Sequence, residues 1–218
     1  MHNPAHFGQD LAGFVLAGGR SSRMGVDKAL VELDGRPLIA HALGILRGAG
    51  LDVAIAGARA QLDGFARVVA DLYPDLGPLG GICSALAATS ARWSVFLPVD
   101  LPLLPPALIS YQLKKAREKD AAVTVASVEG FAQTFPVVID RATLPYLDQE
   151  VAAGRLGCLS ALQNAAESLT RPLVVLSVEE AIASGQLVAP CGNAPDRWFL
   201  NLNAPEDLRR AEARPERI

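Results

Sequence analysis

The densest chemistry in this sequence lies in Phe14 to Leu30, FVLAGGRSSRMGVDKAL. An apolar run ends at Gly18-Gly19, and Arg20, Arg23 and Lys28 then fall within nine residues, against one acid, Asp27. Glycines let a backbone approach a ligand closely and leave its amides free to donate. A strand end, a glycine turn and clustered cations together suit the phosphates of a nucleotide. A solvated turn would use the same residue types, and a surface pair of Lys28 with Asp27 would contribute little. Spacing excludes two familiar phosphate loops. The pattern G-x-x-x-x-G-K-S/T fails because five residues separate Gly19 from Gly25, with Val26-Asp27 before Lys28. No G-x-G-x-x-G follows the apolar run, so a dinucleotide fingerprint is absent.

Three further groups could join this loop. Asp100, in F-L-P-V-D-L-P, ends the most apolar run of the chain. A lone carboxylate there suits Mg²⁺, which takes few protein carboxylates and completes its shell with phosphate oxygens and water. An aspartate turning the chain before Pro102 would read the same way. Asp71 follows a shorter apolar run and precedes the glycine cluster Gly77-Pro78-Leu79-Gly80-Gly81, where an aspartate serving only a turn is also common. Asn203-Ala204-Pro205-Glu206 has the form of a helix N-cap with a glutamate three residues on, which gives Asn203 a structural role. Asn201 lacks that explanation.

The elements that must position these residues follow from periodicity. Phe14 to Ala17 reads as a first buried strand. Asp34-Gly35 makes a turn, and Pro37 opens a helix with Leu38, Ala42, Ile45, Leu46 and Ala49 on one face. Leu51 to Ala56 and Arg67 to Ala70 read as strands. The glycine cluster leads into a helix with Ile82, Ala85, Leu86 and Thr89 on one face, and Trp93 to Pro98 is a strand. Pro105-Pro106 start another helix, which carries Lys114, Lys115 and Lys119. Ala121 to Val128 and Gln133 to Ile139 form a strand and its return around Glu129-Gly130. Helices follow around Leu144 to Ala153 and Leu156 to Ala165, then a strand over Arg171 to Val178. Ser184 to Pro195 reads as an irregular insertion, Trp198 to Leu200 as a last strand, and the residues after Asn203 as a terminal helix. Alternating strands and helices predict an α/β fold with a mostly parallel sheet. Open sheets of that kind bind ligands beyond the carboxyl ends of their strands. The loop after Leu16, Asp71 and Asp100 each stand at such an end.

Composition narrows the partners. At 218 residues, with half of them apolar, the chain suffices for one α/β domain, expected over residues 12–218 behind a flexible leader at 1–11. A net charge of −3 without a basic face or Arg/Lys run argues against nucleic acid, so an anionic substrate needs a local positive site. Cys83, Cys158 and Cys191 form no C-x-x-C, and buried thiols in a reducing compartment fit better than a disulfide framework or zinc. His2, His6 and His41 offer no metal cluster. No apolar run approaches membrane-spanning length and no signal-type start is present, which predicts a cytoplasmic protein without a membrane partner.

From Leu16 to Leu30 the full pattern is L-A-G-G-x-S-x-R-M-G-x-D-K-x-L. It resembles the signature of the molybdenum cofactor guanylyltransferases, a group within the molybdopterin nucleotidyltransferases. The segments from Asp71 to Gly81, around Asp100, and from Asn201 to Leu208 (N-x-N-x-P-E-D-L) resemble that group's other motifs, in the same order. The resemblance implies a Rossmann-like, three-layer nucleotidyltransferase fold. It also implies transfer of GMP from GTP to the terminal phosphate of molybdopterin, with loss of pyrophosphate. Under it, Leu16, Ala17, Gly18, Gly19, Lys28, Asp71, Gly80 and Asp100 bind nucleotide, while Arg23, Lys28 and Asp100 are catalytic. Asp100 also holds Mg²⁺, and Asn201 and Asn203 face the acceptor. Brief contact with proteins that mature molybdoenzymes belongs to the same implication. The chain departs from the group's pattern in its second half, at Gln133-Thr134-Phe135-Pro136, at Gly157-Cys158 and in the length of Ser184 to Pro195. The alternative is therefore a cytidylyl transfer to molybdopterin, or nucleotidyl transfer to another phosphorylated small molecule.

Overall fold

The computed structural model describes residues 10–17, 27–57, 60–190 and 194–212. Leu11–Leu16 forms β1, and a single 3-10 turn over Lys28–Leu30 follows. Glu32–Leu33 (β2) and Arg36–Pro37 (β3) make a small hairpin. Its turn holds Asp34 at φ 48° and Gly35 at φ 70°, the left-handed pair that Asp-Gly favours. Then come α1 (Leu38–Gly48), β4 (Val53–Ala56), β5 (Val68–Val69), α2 (Gly77–Ala87), β6 (Trp93–Pro98) and α3 (Pro106–Glu118). The hairpin of β7 (Val123–Val128) and β8 (Phe131–Asp140) leads to α4 (Leu144–Ala152), α5 (Cys158–Ser168) and β9 (Leu173–Ser177). Last come α6 (Val178–Ala183), α7 (Pro195–Trp198) and α8 (Pro205–Glu212).

Seven strands form one sheet in the order β5-β4-β1-β6-β8-β7-β9, and only β8 runs against the rest. The central strands β1, β4 and β6 are buried on both faces, which explains their unbroken apolar runs. Along β1 the alternation is visible. Val15 joins a core with α1 and α3, while Phe14 and Leu16 join another with α2, α4 and α5. On that second face Phe14 and Phe96 stack with centroids 5.4 Å apart. The result is the expected three-layer arrangement of a mostly parallel sheet between helices. From β1 the chain builds outward through β4 and β5, then returns to lay β6 on the other side of β1. The order therefore reverses between β1 and β6, and a crevice opens there at the carboxyl ends.

Two expectations fail near the C-terminus. Trp198-Phe199-Leu200 is not a strand, because Trp198 closes the short helix α7. Pro195 sits at the start of that helix with Asp196 in its first turn, a start signal that outweighs three apolar residues. Trp198 is fully buried, so its apolarity serves packing and not a sheet edge. The second miss is α6, which lies between the expected strand and the irregular stretch. Ser177 accepts from the Glu180 N–H and caps it, a signal legible as Ser-x-x-Glu. Residues 184–190 are irregular, as expected.

Candidate active site

At the mouth of the crevice, β1 and β6 are level: Leu16 pairs with Pro98, and the Val99 N–H donates to the Leu16 carbonyl at 3.3 Å. The chain after β1 re-enters the described region at Asp27, whose Oδ1 accepts from the Ala29 N–H at 3.1 Å and so caps the 3-10 turn. Gln61 Nε2 donates to Asp27 Oδ2 at 3.0 Å. That turn projects Lys28 across the crevice. Its Nζ donates to Asp100 Oδ2 at 2.9 Å and to Asn203 Oδ1 at 2.5 Å. Side-chain exposures of 17% for Lys28 and 22% for Asp100 set this pair apart from a surface ion pair.

Asp100 stands two residues past the end of β6 and is tied to the C-terminal segment through its backbone. The Leu202 N–H donates to the Asp100 carbonyl at 3.0 Å, and Leu202 is buried in the core. Asn201 and Asn203, on either side of it, are exposed. The segment before α8 is thereby clamped beside Asp100, and Asn203 meets Lys28. Asn203 is not the cap expected of it. Ala204 precedes the helix, and Asp207 Oδ2 accepts from the N–H groups of both Asn203 (2.8 Å) and Ala204 (2.9 Å). The signal was present as an acid three residues after Ala204. With the capping work done by Asp207, the Asn203 side chain is free to hold Lys28.

The carboxylate of Asp100 is only half satisfied: Oδ1 is buried and accepts no hydrogen bond. Such an atom is costly unless a partner arrives. No group of three or more His, Cys, Asp or Glu side chains converges anywhere among the described residues. The donor set therefore fits a hard cation that takes one protein carboxylate and fills its shell with phosphate and water. It does not fit zinc.

Asp71 stands two residues beyond the edge strand β5, which β4 separates from β1. Its Oδ1 accepts from the Tyr73 N–H at 3.0 Å and from the Ser84 hydroxyl at 3.3 Å. No hydrogen bond joins it to Lys28 or Asp100. Sequence reasoning missed Ser84, a buried residue of α2 whose hydroxyl also accepts from the Leu72 N–H at 2.9 Å. Gly80 packs under the same loop. A Cβ there would lie 2.7 Å from the Tyr73 carbonyl oxygen, so glycine is what permits the loop to close on α2. Leu16 and Ala17 are buried at the end of β1. Gly18, Gly19, Arg20 and Arg23 lie outside the described residues, as does Cys191. The other two cysteines are inert by environment. Burial pushes the Cys158 thiol up to about 12, and burial together with Asp148 pushes Cys83 to about 12.

Comparison with known proteins supplies an independent reading. A family model described as "MobA-like NTP transferase domain" matches residues 13–177. The molybdenum cofactor guanylyltransferase of Xanthomonas euvesicatoria pv. vesicatoria is 47% identical over 112 residues, covering 50% of this chain and 57% of that protein. The molybdenum cofactor guanylyltransferase of Pseudomonas putida is 38% identical over 200 residues, covering 89% of this chain and 94% of that protein. Among solved structures, molybdopterin-guanine dinucleotide biosynthesis protein A from Archaeoglobus fulgidus has a similar fold. Its TM-score is 0.73 at 20% identity, over 92% of this chain and 96% of that one.

Proposed function

The chain belongs to the MobA-like NTP transferase family, and we propose that it transfers GMP from GTP to the terminal phosphate of molybdopterin, releasing pyrophosphate. The observation that carries this reading is the convergence of Lys28, Asp100 and Asn203 where the strand order reverses. An oxygen of the molybdopterin phosphate bonds to the α-phosphorus as the bond to the β-phosphate breaks. Such a step asks for in-line positioning and charge neutralisation more than for an acid–base residue.

Each part of the site has a place in that step. The backbone from Leu16 to Gly19 holds the nucleotide against the end of β1. Lys28 gives its ammonium donors to the phosphates, with Arg23 from the same loop. Asp71 and Gly80, in the loop that closes on α2, also bind the nucleotide, and Asn201 and Asn203 face the acceptor. Asp100 would repel a triphosphate on its own, by about 4 kcal/mol per charge at 4 Å and an effective dielectric near 20. The arrangement is favourable with a cation between them, and Mg²⁺ held by Asp100 would neutralise the α-phosphate and the departing pyrophosphate. The described thiols stay protonated and take no part. A cytoplasmic setting is part of the same proposal. No helix among the described residues is long and apolar enough to cross a membrane.

Incubation with molybdopterin, Mg²⁺ and each nucleoside triphosphate tests the proposal. The expected result is pyrophosphate release from GTP that depends on molybdopterin, with a guanine dinucleotide product. Faster turnover of CTP, or release that does not need molybdopterin, would overturn it.

A further inference from the structure

A divalent ion that approaches the Asp100 carboxylate meets the Lys28 ammonium first. Lys28 Nζ takes Oδ2 at 2.9 Å, and Oδ1 on the same carboxylate is buried and left without a partner. The ammonium is held there by Asn203 Oδ1 as well, so it sits between two oxygens as a small cation would. A divalent ion brought to Oδ2 would have to displace a like charge that already has two partners. Repulsion between like charges at this separation is strong away from bulk water. A triphosphate changes the balance, because it offers the same ammonium several charged acceptors.

We propose that Lys28 is the resident cation of Asp100 in the free protein, and that ion and nucleotide must enter together. Resting on the reading of Asp100 as the cation ligand, this adds an order of events. Without nucleotide, Lys28 excludes the divalent ion. With nucleotide, Lys28 swings to the phosphates and Asp100 Oδ2 opens. Binding of the two is therefore cooperative, and linkage requires each to strengthen the other by the same factor. A role of this kind gives Lys28 a second task beyond phosphate binding. It also explains how a site with one carboxylate avoids trapping a cation before its substrate arrives.

Mn²⁺ binding followed by electron paramagnetic resonance tests the idea without turnover. The wild type alone should bind Mn²⁺ weakly, and a non-hydrolysable GTP analogue should strengthen binding on the order of tenfold or more, within the ordinary range of coupling. Lys28→Met, which keeps length and removes charge, should bind Mn²⁺ without nucleotide on the order of tenfold more tightly than the wild type. Adding Asp100→Asn to Lys28→Met should abolish that gain. If Lys28→Met binds Mn²⁺ no better than the wild type, the exclusion is wrong. If the gain survives Asp100→Asn, the ion sits elsewhere and the reading of Asp100 fails instead. Thermal melting gives a readout should Lys28→Met prove hard to handle. Mn²⁺ alone should raise the melting temperature of Lys28→Gln and leave the wild type unmoved, and equal shifts in both would overturn the proposal.

Discussion

At the amino edge of the sheet, Asp140 accepts from the Ala142 N–H through Oδ1 at 2.8 Å, and from Arg92 and Arg171 through Oδ2 at 3.1 and 2.8 Å. Both arginines also reach Asp120. Next to them Arg141 donates to the carbonyls of Leu86 and Thr89 and so satisfies the C-terminal end of α2. Every charge in this group has its partner, and Asp140 is nearly inaccessible to water. At the carboxyl edge, Lys28 and Asp100 make one bond to each other, and Oδ1 of Asp100 is left with none. The same fold thus completes its electrostatics at one end and leaves them open at the other. A complete network resists change and serves stability, whereas an incomplete one can exchange partners with a ligand.

Substitutions should separate the two ends cleanly. Asp100→Asn keeps shape and removes the charge that would hold a cation. Transfer should fall by on the order of a hundredfold or more, while the melting temperature stays close to that of the wild type. Wild-type pyrophosphate release across a Mg²⁺ titration would make Asp100 a turn residue only.

Arg171→Ala should do the reverse. It strips one partner from a buried carboxylate, and the loss should be about 2–3 kcal/mol, below the roughly 3–5 kcal/mol for a pair broken outright because Arg92 remains. For a chain of this size that is about 4–12 °C in melting temperature. Turnover measured well below the transition should stay within about twofold of the wild type, the range expected of a residue remote from the reaction. A large loss of turnover at full stability would mean that the two ends are coupled.

Lys28→Ala should raise the nucleotide dissociation constant by about 10- to 100-fold, since a hydrogen bond to a charged group contributes roughly 1.5–3 kcal/mol. Isothermal titration with a GTP analogue reads this directly. Affinity unchanged within twofold would remove Lys28 from the phosphates.

The contrast also explains what was legible in the sequence. Strands such as Trp93–Pro98 and helices such as Leu38–Gly48 announce themselves by period, because burial on both faces or one dictates their composition. Lys28 and Asp100 stood out through glycine, charge and strand-end position. Their mutual bond was hidden, since it depends on β6 returning to the side of β1, which no local pattern encodes. The amino-edge network was invisible for the same reason, because its four members come from segments scattered between Arg92 and Arg171. Of the two roles open to Asn203, the side chain takes the one in the site, because several polar residues near a helix start can do the capping work and Asp207 does it.

Within the carboxyl edge, Asn201 and Asn203 differ in the same way as the two ends of the sheet. Both asparagines flank Leu202, whose N–H is fixed on the Asp100 carbonyl, so the segment is equally well anchored at each. Asn203 spends its side-chain oxygen on Lys28, whereas the Asn201 side chain is exposed and makes no hydrogen bond to a described residue. Asn201 therefore gives up no described side-chain hydrogen bond when it meets a ligand. Asn201→Ala should leave the melting temperature and the affinity for a GTP analogue unchanged, and raise KM for molybdopterin by about three- to tenfold. That corresponds to one neutral hydrogen bond of roughly 0.5–1.5 kcal/mol. Asn203→Ala, by contrast, should disturb the holding of Lys28 and so affect nucleotide and acceptor together. Steady-state kinetics with each substrate varied in turn distinguishes the two. Equal losses for both substrates in Asn201→Ala would show that this segment acts as a single clamp on Lys28 and Asp100, with no separate acceptor side.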